Sequence, residues 1–170
     1  DINMGCPAKK VTGGWAGSAL MRDLDHAVSL VEAAVAAVKV PVTVKMRLGW
    51  DDASRNAPEL ARRAVASGAR LITVHGRTRQ QFYKGVADWA AIRAVRNVGD
   101  FPLVANGDIH GLDDARACLA QSGADLVMVG RAALGKPWLV GAIGAGLDGR
   151  PVPEPTLAQK HAVALEHYEG

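Results

Sequence analysis

PLVANGDIHGLDDARACLAQSGADLVMVG, residues 102–130, holds a whole strand–helix–strand unit. Residues 102–106 and 125–130 are short, apolar and valine-rich, the pattern of strands covered on both faces. Residues 112–122 between them read as a helix stopped by Gly123. The unit recurs upstream. LITVHG (71–76) is a strand followed by a helix from about Asp88 to Asn97. PVTVKMRL (41–48) is another, followed by a helix that starts at Asn56, carries Pro58 in its first turn and Glu59 three residues past the cap, and ends at Gly68. Residues 25–38 place Ala27, Val31, Ala34, Val35 and Val38 on one helical face, with Asp25 as the expected N-cap. Asp1 to Met4 read as the tail of an earlier strand.

Strands alternating with helices imply parallel βα units, in a (β/α)8 barrel or a doubly wound sheet. Five strands are too few to close a barrel, which takes about 250 residues. The polar residues favour the barrel nonetheless. Asn3, Lys45, Arg47, His75, Arg77, Asn106 and Asp108 all fall at or just after the C-terminal end of a strand, where barrel sites are built. The expected architecture is α/β: the C-terminal five βα units of a TIM barrel over residues 1–144, a Gly/Pro linker over 145–155 (AGLDGRPVPEP), and the start of a helical domain over 156–170. The chain opens on Asp1 rather than Met, so a fragment is expected.

Composition narrows the function. The 170 residues are 49% hydrophobic and 22% charged, enough for one domain with a core. No apolar run is long enough to span a membrane. Cys6 and Cys118 are the two cysteines and form no CxxC pair, which excludes a disulfide scaffold or a cysteine zinc site and suits a reducing cytoplasm. The five histidines form no metal-ligand cluster, so no metal is expected. A net charge of +3 permits a polyanionic partner without demanding one.

Cys6, between Gly5 and Pro7, reads either as a small buried thiol or as an acid or nucleophile in a mouth loop. Cys118 lies within an amphipathic helix and reads as core. Lys45 and Arg47, two apart on one strand, point the same way, while Val44 and Met46 face the helices. Two inward cations are costly unless an anion meets them, so an anionic ligand is expected there. His75 shares the rim with Lys45 and Asn106. Arg77 and Arg79 flank a loop carrying Gln80, Gln81, Phe82, Tyr83 and Lys84, a mixture suited to phosphates and stacked bases, or to a plain solvated loop. Asn106-Gly107-Asp108-Ile109 and Val129-Gly130-Arg131-Ala132 follow the last two strands, where barrels commonly bind phosphate through backbone N–H groups. There is no P-loop and no GxGxxG, which argues against a nucleotide held in the Rossmann manner.

DINMGCPAKKV (1–11), with GSALM (17–21) after it, resembles the signature of the tRNA-dihydrouridine synthases, in the wording of their bacterial B-type branch. KMRLG (45–49), HGRT (75–78), NGDI (106–109) and Gly130-Arg131 follow in the family's order, so the resemblance covers residues 1 to about 140. It implies an FMN-dependent barrel with a small helical tRNA-binding domain, reducing the C5–C6 bond of specific uridines in tRNA with NADPH as electron source. By the same resemblance, hydride goes to uracil C6 and Cys6 gives C5 its proton as general acid. Asn3 holds the uracil. Lys45 and His75 contact the flavin ring, where cations stabilise its reduced anionic form. Asn106, Gly107, Asp108, Gly130 and Arg131 form the ribityl-phosphate site, and Arg47 and Arg77 face substrate or flavin. The resemblance also implies three βα units before Asp1 and more of the helical domain after Gly170, in a cytoplasmic protein that is a monomer at full length. Two other readings stand beside it: a flavin barrel acting on a free pyrimidine or other small molecule, and an RNA-binding protein without activity.

Overall fold

The computed structural model describes residues 1–151 and 154–169. Five strands, β1 (Ile2–Met4), β2 (Thr43–Arg47), β3 (Leu71–His75), β4 (Leu103–Asn106) and β5 (Leu126–Met128), form one parallel sheet. Their spatial order is their chain order. A doubly wound sheet reverses at a switch point. This one never reverses, which is the winding of a barrel, so the chain is a run of five units of a TIM-type α/β fold.

Seven helices accompany the sheet among the described residues: α1 (Lys9–Thr12), α2 (Leu24–Ala37), α3 (Ala57–Ala66), α4 (Trp89–Arg96), α5 (Leu112–Ser122), α6 (Trp138–Leu147) and α7 (Leu157–Glu169). Helices α2 to α6 pack in succession, each against the next. Side chains alternate across the sheet. Val44, Met46, Ile72, Val74, Leu103 and Ala105 are fully buried on the face that meets the helices. Lys45, Arg47, Thr73, His75 and Asn106 share the other face, as the register pairs Lys45 with Thr73, Arg47 with His75 and His75 with Asn106. Burying each aliphatic side chain contributes about 1.5–3 kcal/mol. A one-residue slip would exchange the faces and push two cations under the helices, so the apolar residues fix the register that aligns the polar ones.

The strands and α3, α4 and α5 form where the sequence places them, within a residue or two. The helix caps differ. Asp23, not Asp25, caps α2: its carboxylate accepts the His26 N–H at 3.0 Å, while Asp25 sits in the first turn and pairs with Arg63. Asn56 precedes α3 but makes no capping bond, because its Nδ2 donates across to the Met21 carbonyl at 2.7 Å. Glu59 pairs with Arg62 instead of closing a capping box. A 3₁₀ segment at Gly17–Arg22 buries Ser18 to Met21. Helix α6 runs to Leu147, past residue 145 where the linker was expected to begin. Helix α7 occupies the expected C-terminal helical stretch and buries none of its residues. Residues 152, 153 and 170 of the expected linker and helix lie outside the described residues.

Candidate functional site at the sheet's C-terminal rim

A cavity of about 360 Å³ opens at the C-terminal ends of the strands. Asn3, Cys6, Lys45, Arg47, His75, Asn106, Gly107, Asp108, Gly130 and Arg131 all line it; Arg77 does not. Among the described residues no helix is long and apolar enough to cross a membrane, and no group of three or more His, Cys, Asp or Glu side chains could hold a metal ion.

The loop after β1 is pinned from both ends. Asn3 Oδ1 accepts the Gly5 N–H at 2.9 Å and the Cys6 N–H at 3.0 Å, a local side-chain turn that only a short polar side chain can make. Ser18 donates to the Cys6 carbonyl twice, from its N–H at 3.0 Å and its hydroxyl at 2.9 Å. Gly17, with φ +56°, lies so close that a Cβ there would sit 2.7 Å from the Cys6 carbonyl oxygen. Arg47 Nε donates to the Gly5 carbonyl at 2.8 Å. Cys6 is therefore held at the mouth, half-exposed. With its Oδ1 engaged by the loop, Asn3 has only its Nδ2 donor left for a ligand. Cys118 is the core thiol its helix predicts: it is buried, and burial pushes it up to about 12.

Lys45 has no acceptor among the described residues, and burial followed by the Arg47 charge lowers its pKa. Arg47 is buried and donates through Nη1 to the carbonyls of Thr78 and Phe82, both at 2.9 Å. Burial lowers it to about 10, with Tyr83 opposing and Arg77 adding, so it stays charged at neutral pH. His75 departs from the expectation of a cation. Burial, then Arg47, Lys45 and Arg77, drive it down to about 3, and Asp108 does not offset them. It is a neutral imidazole. Arg77 Nη1 lies 3.3 Å from His75 Nε2. A guanidinium has no lone pair to offer, so Nε2 accepts and the ring proton is on Nδ1.

Arg77, expected to face substrate or flavin, does not line this cavity. It is buried beneath the rim. Its two terminal nitrogens donate to the two oxygens of Asp108 at 2.9 and 2.5 Å, a bidentate pair. Nε donates to the Lys84 carbonyl at 3.1 Å and Nη2 also to the Gly85 carbonyl at 2.7 Å. Asp108 accepts a third bond from the Ala87 N–H at 2.8 Å. Burial alone would raise its carboxyl; the Arg77 and Ala87 hydrogen bonds and the Arg77 and Arg131 charges outweigh that and hold it below the usual carboxylate value. The pair clasps the loop after β3 to the loop after β4. Gly107, at φ +117°, makes the approach feasible, since a Cβ would stand 3.0 Å from the His75 ring. Asn106 Nδ2 donates to the Met128 carbonyl at 2.8 Å, which leaves its Oδ1 facing the cavity. Among the described residues no acceptor takes the N–H of Asp108 or Ile109.

Two participants were not singled out by pattern. Tyr83 lines the cavity, with the guanidinium of Arg131 4.9 Å and that of Arg47 5.8 Å from its ring centroid. Trp89 Nε1 donates to the Gly107 carbonyl at 2.8 Å. The aromatic content of the loop at 77–84 was the one available sign for Tyr83. For Trp89 there was none beyond its place at the start of the helix expected from about Asp88. At the rim Arg55, Arg77 and Arg131 pair with carboxylates. Among the described residues Lys9, Lys10, Arg22, Lys45, Arg47, Arg79 and Lys84, in the loops and strand ends of the mouth, form no ion pair with a carboxylate, so the mouth carries an excess of cations.

Fold and rim define a barrel-type α/β protein with a cationic mouth that carries one pinned thiol. The chain belongs to the dihydrouridine synthase (Dus) family, whose profile matches residues 1–170. It is 58% identical over 168 residues to a "probable tRNA-dihydrouridine synthase" of Rhizobium leguminosarum bv. phaseoli, covering 99% of this chain and 51% of that protein. It is 49% identical over 171 residues to the tRNA-dihydrouridine synthase B of Xanthomonas axonopodis pv. citri, covering 100% and 52%. The chain thus spans about half the length of the curated relatives it matches. A solved mandelate oxidase variant with (S)-mandelic acid superposes with a TM-score of 0.47 at 22% identity, over 70% of this chain and 49% of that one.

Proposed function

We propose that, within the full-length protein, these residues form the mouth of a flavin barrel that reduces specific uridines of tRNA to 5,6-dihydrouridine, with NADPH as electron source, in the cytoplasm. The observation that carries the reading is the pinned Cys6 thiol facing the same cavity as unpaired Lys45 and neutral His75.

The residues fit FMN. Lys45 is a cation without a partner, His75 Nδ1–H a donor, and Asn106 Oδ1 an acceptor, all facing a cavity within the usual size range of ligand sites. The unclaimed N–H groups of Asp108 and Ile109 suit a phosphate, and Arg131 adds a charge-assisted bond. The carboxylate of Asp108 faces Arg77, so Asp108 serves that corner through its backbone and by holding Arg77. When bound, FMN supplies the hydride that uracil receives at C6. Asn3 Nδ2 donates to a uracil carbonyl and orients the base. Cys6 Sγ gives its proton to C5, and the pinned loop keeps the thiol from swinging away. Arg47 holds the loops around it through carbonyls of both. Helix α7, with no buried face of its own, begins the helical region that grips the tRNA.

The test is the full-length protein incubated with FMN, NADPH and unmodified tRNA, which is then digested and weighed for uridine that has gained two hydrogens. A gain confined to one site is expected. C6A should reduce turnover by about 100-fold or more, the usual contribution of a general acid, and leave tRNA affinity unchanged. NADPH oxidation without tRNA product would move the reading to a free pyrimidine.

A further inference from the structure

Beside the cavity, four side chains form a column. Arg22 lies between two indoles, 5.6 Å from the Trp15 ring centroid and 4.9 Å from that of Trp50. Arg79 covers Trp50 at 4.6 Å and reaches on to Thr12 Oγ1 at 3.4 Å. The column therefore links the loops after β1, β2 and β3. Among the described residues neither arginine pairs with a carboxylate, and both are held against aromatic faces. Trp15 ends the column. It is 55% exposed, and its backbone has φ 55°, a left-handed conformation that bulky residues seldom adopt. It stands two residues before Gly17, whose backbone abuts the Cys6 carbonyl, so its Cα is within about 7 Å of chain reach from that contact. Lys9 and Lys10, exposed and unpaired, lie in α1 of the same loop.

We propose that Trp15 is a stacking platform for an unpaired nucleotide adjoining the target base. The proposal rests on the RNA-reducing reading above. An indole offers a π-face to any base, and unpaired cations beside it meet the phosphates of a nucleic acid strand; this is the usual composition of a single-strand binding surface. Arg22 behind Trp15 holds the ring so that little freedom is lost when a base stacks. The surface is read by stacking and charge, so it takes a nucleotide without regard to its identity.

The experiment uses the full-length protein with FMN and NADPH, and unmodified tRNA as probe. W15A should weaken tRNA affinity by about 5- to 150-fold, the range for losing one base stack, and raise KM to match, with kcat within about twofold. W15Y should recover most of the affinity, and ultraviolet irradiation should cross-link the wild-type tryptophan to tRNA. Unchanged affinity in W15A, in a protein that makes dihydrouridine, overturns the platform and leaves the reductase standing. Loss in W15A with recovery in W15Y, in a protein that makes no dihydrouridine, supports the platform and overturns the reductase. A fall in kcat and melting temperature alone, without recovery by tyrosine, overturns the platform: Trp15 would then only support the Cys6 loop.

Discussion

Replacing Arg77 by methionine separates two accounts of the rim. An arginine facing the substrate would cost affinity and leave the fold alone. An arginine clasping Asp108 costs stability. Asp108, mostly buried, would lose both Arg77 bonds and keep only the Ala87 N–H and Arg131 at 3.5 Å. The freed carbonyls of Lys84 and Gly85 belong to exposed residues, so water replaces the arginine there at little cost. Breaking a buried pair by removing one partner costs about 3–5 kcal/mol, and Asp108's remaining contacts place this case near about 3. With a slope of about 2 kcal/mol per molar urea, the unfolding midpoint should fall by about 1.5 M. Combining R77M with D108N should return more than about 1 kcal/mol, because an amide does not need the cation. A midpoint within about 0.3 M of wild type, or strict additivity in the double variant, would refute the clasp.

His75 has an ordinary value of 6.5 and is held to about 3 in the fold, so the unfolded chain takes a proton the folded chain refuses. Stability should therefore fall as pH falls from 6.5 towards 3, by about 2 kcal/mol between pH 6.5 and 5 from this residue. Equilibrium unfolding of H75Q should lack that slope; an unchanged slope assigns it to other groups. Lys45 is a desolvated cation with no acceptor, so K45M should stabilise the flavin-free protein by about 1 kcal/mol while flavin is lost on gel filtration. A less stable flavin-free K45M would mean that Lys45 holds the fold instead of a ligand.

Much of the site was legible because strands have a period of two. Lys45 and Arg47 had to share a face, and Val44 and Met46 had to take the other. Helix α5 was readable to the residue, since Gly123 adopts φ +69° and a stop of that kind favours glycine. The pairing of Arg77 with Asp108 was not legible because alternation ends with β3 at His75, and past that point a side chain's direction depends on the turn. The lowered pKa of His75 is not legible in the sequence, because it is set by burial and by cations on a neighbouring strand, β2, and in the loop after β3, which no local window contains. Asp23 and Asp25 are equivalent by residue type, and only the backbone chooses the cap. The Trp15 column was invisible for a similar reason: its members are spread from residue 15 to residue 79 and meet only when three loops do.

The strand order has a consequence for how the chain is made. Every ladder joins consecutive strands, and paired residues are separated by between 22 positions (Val104 with Leu126) and 42 (Ile2 with Val44). Among these five strands, none waits for a distant partner to pair with its predecessor. As the ribosome delivers the chain, each new strand finds its docking edge already exposed by the one before it, and the helix that covers the junction has just been synthesised. Such a sheet grows by addition at one edge, and the exposed front at any moment is a single strand wide.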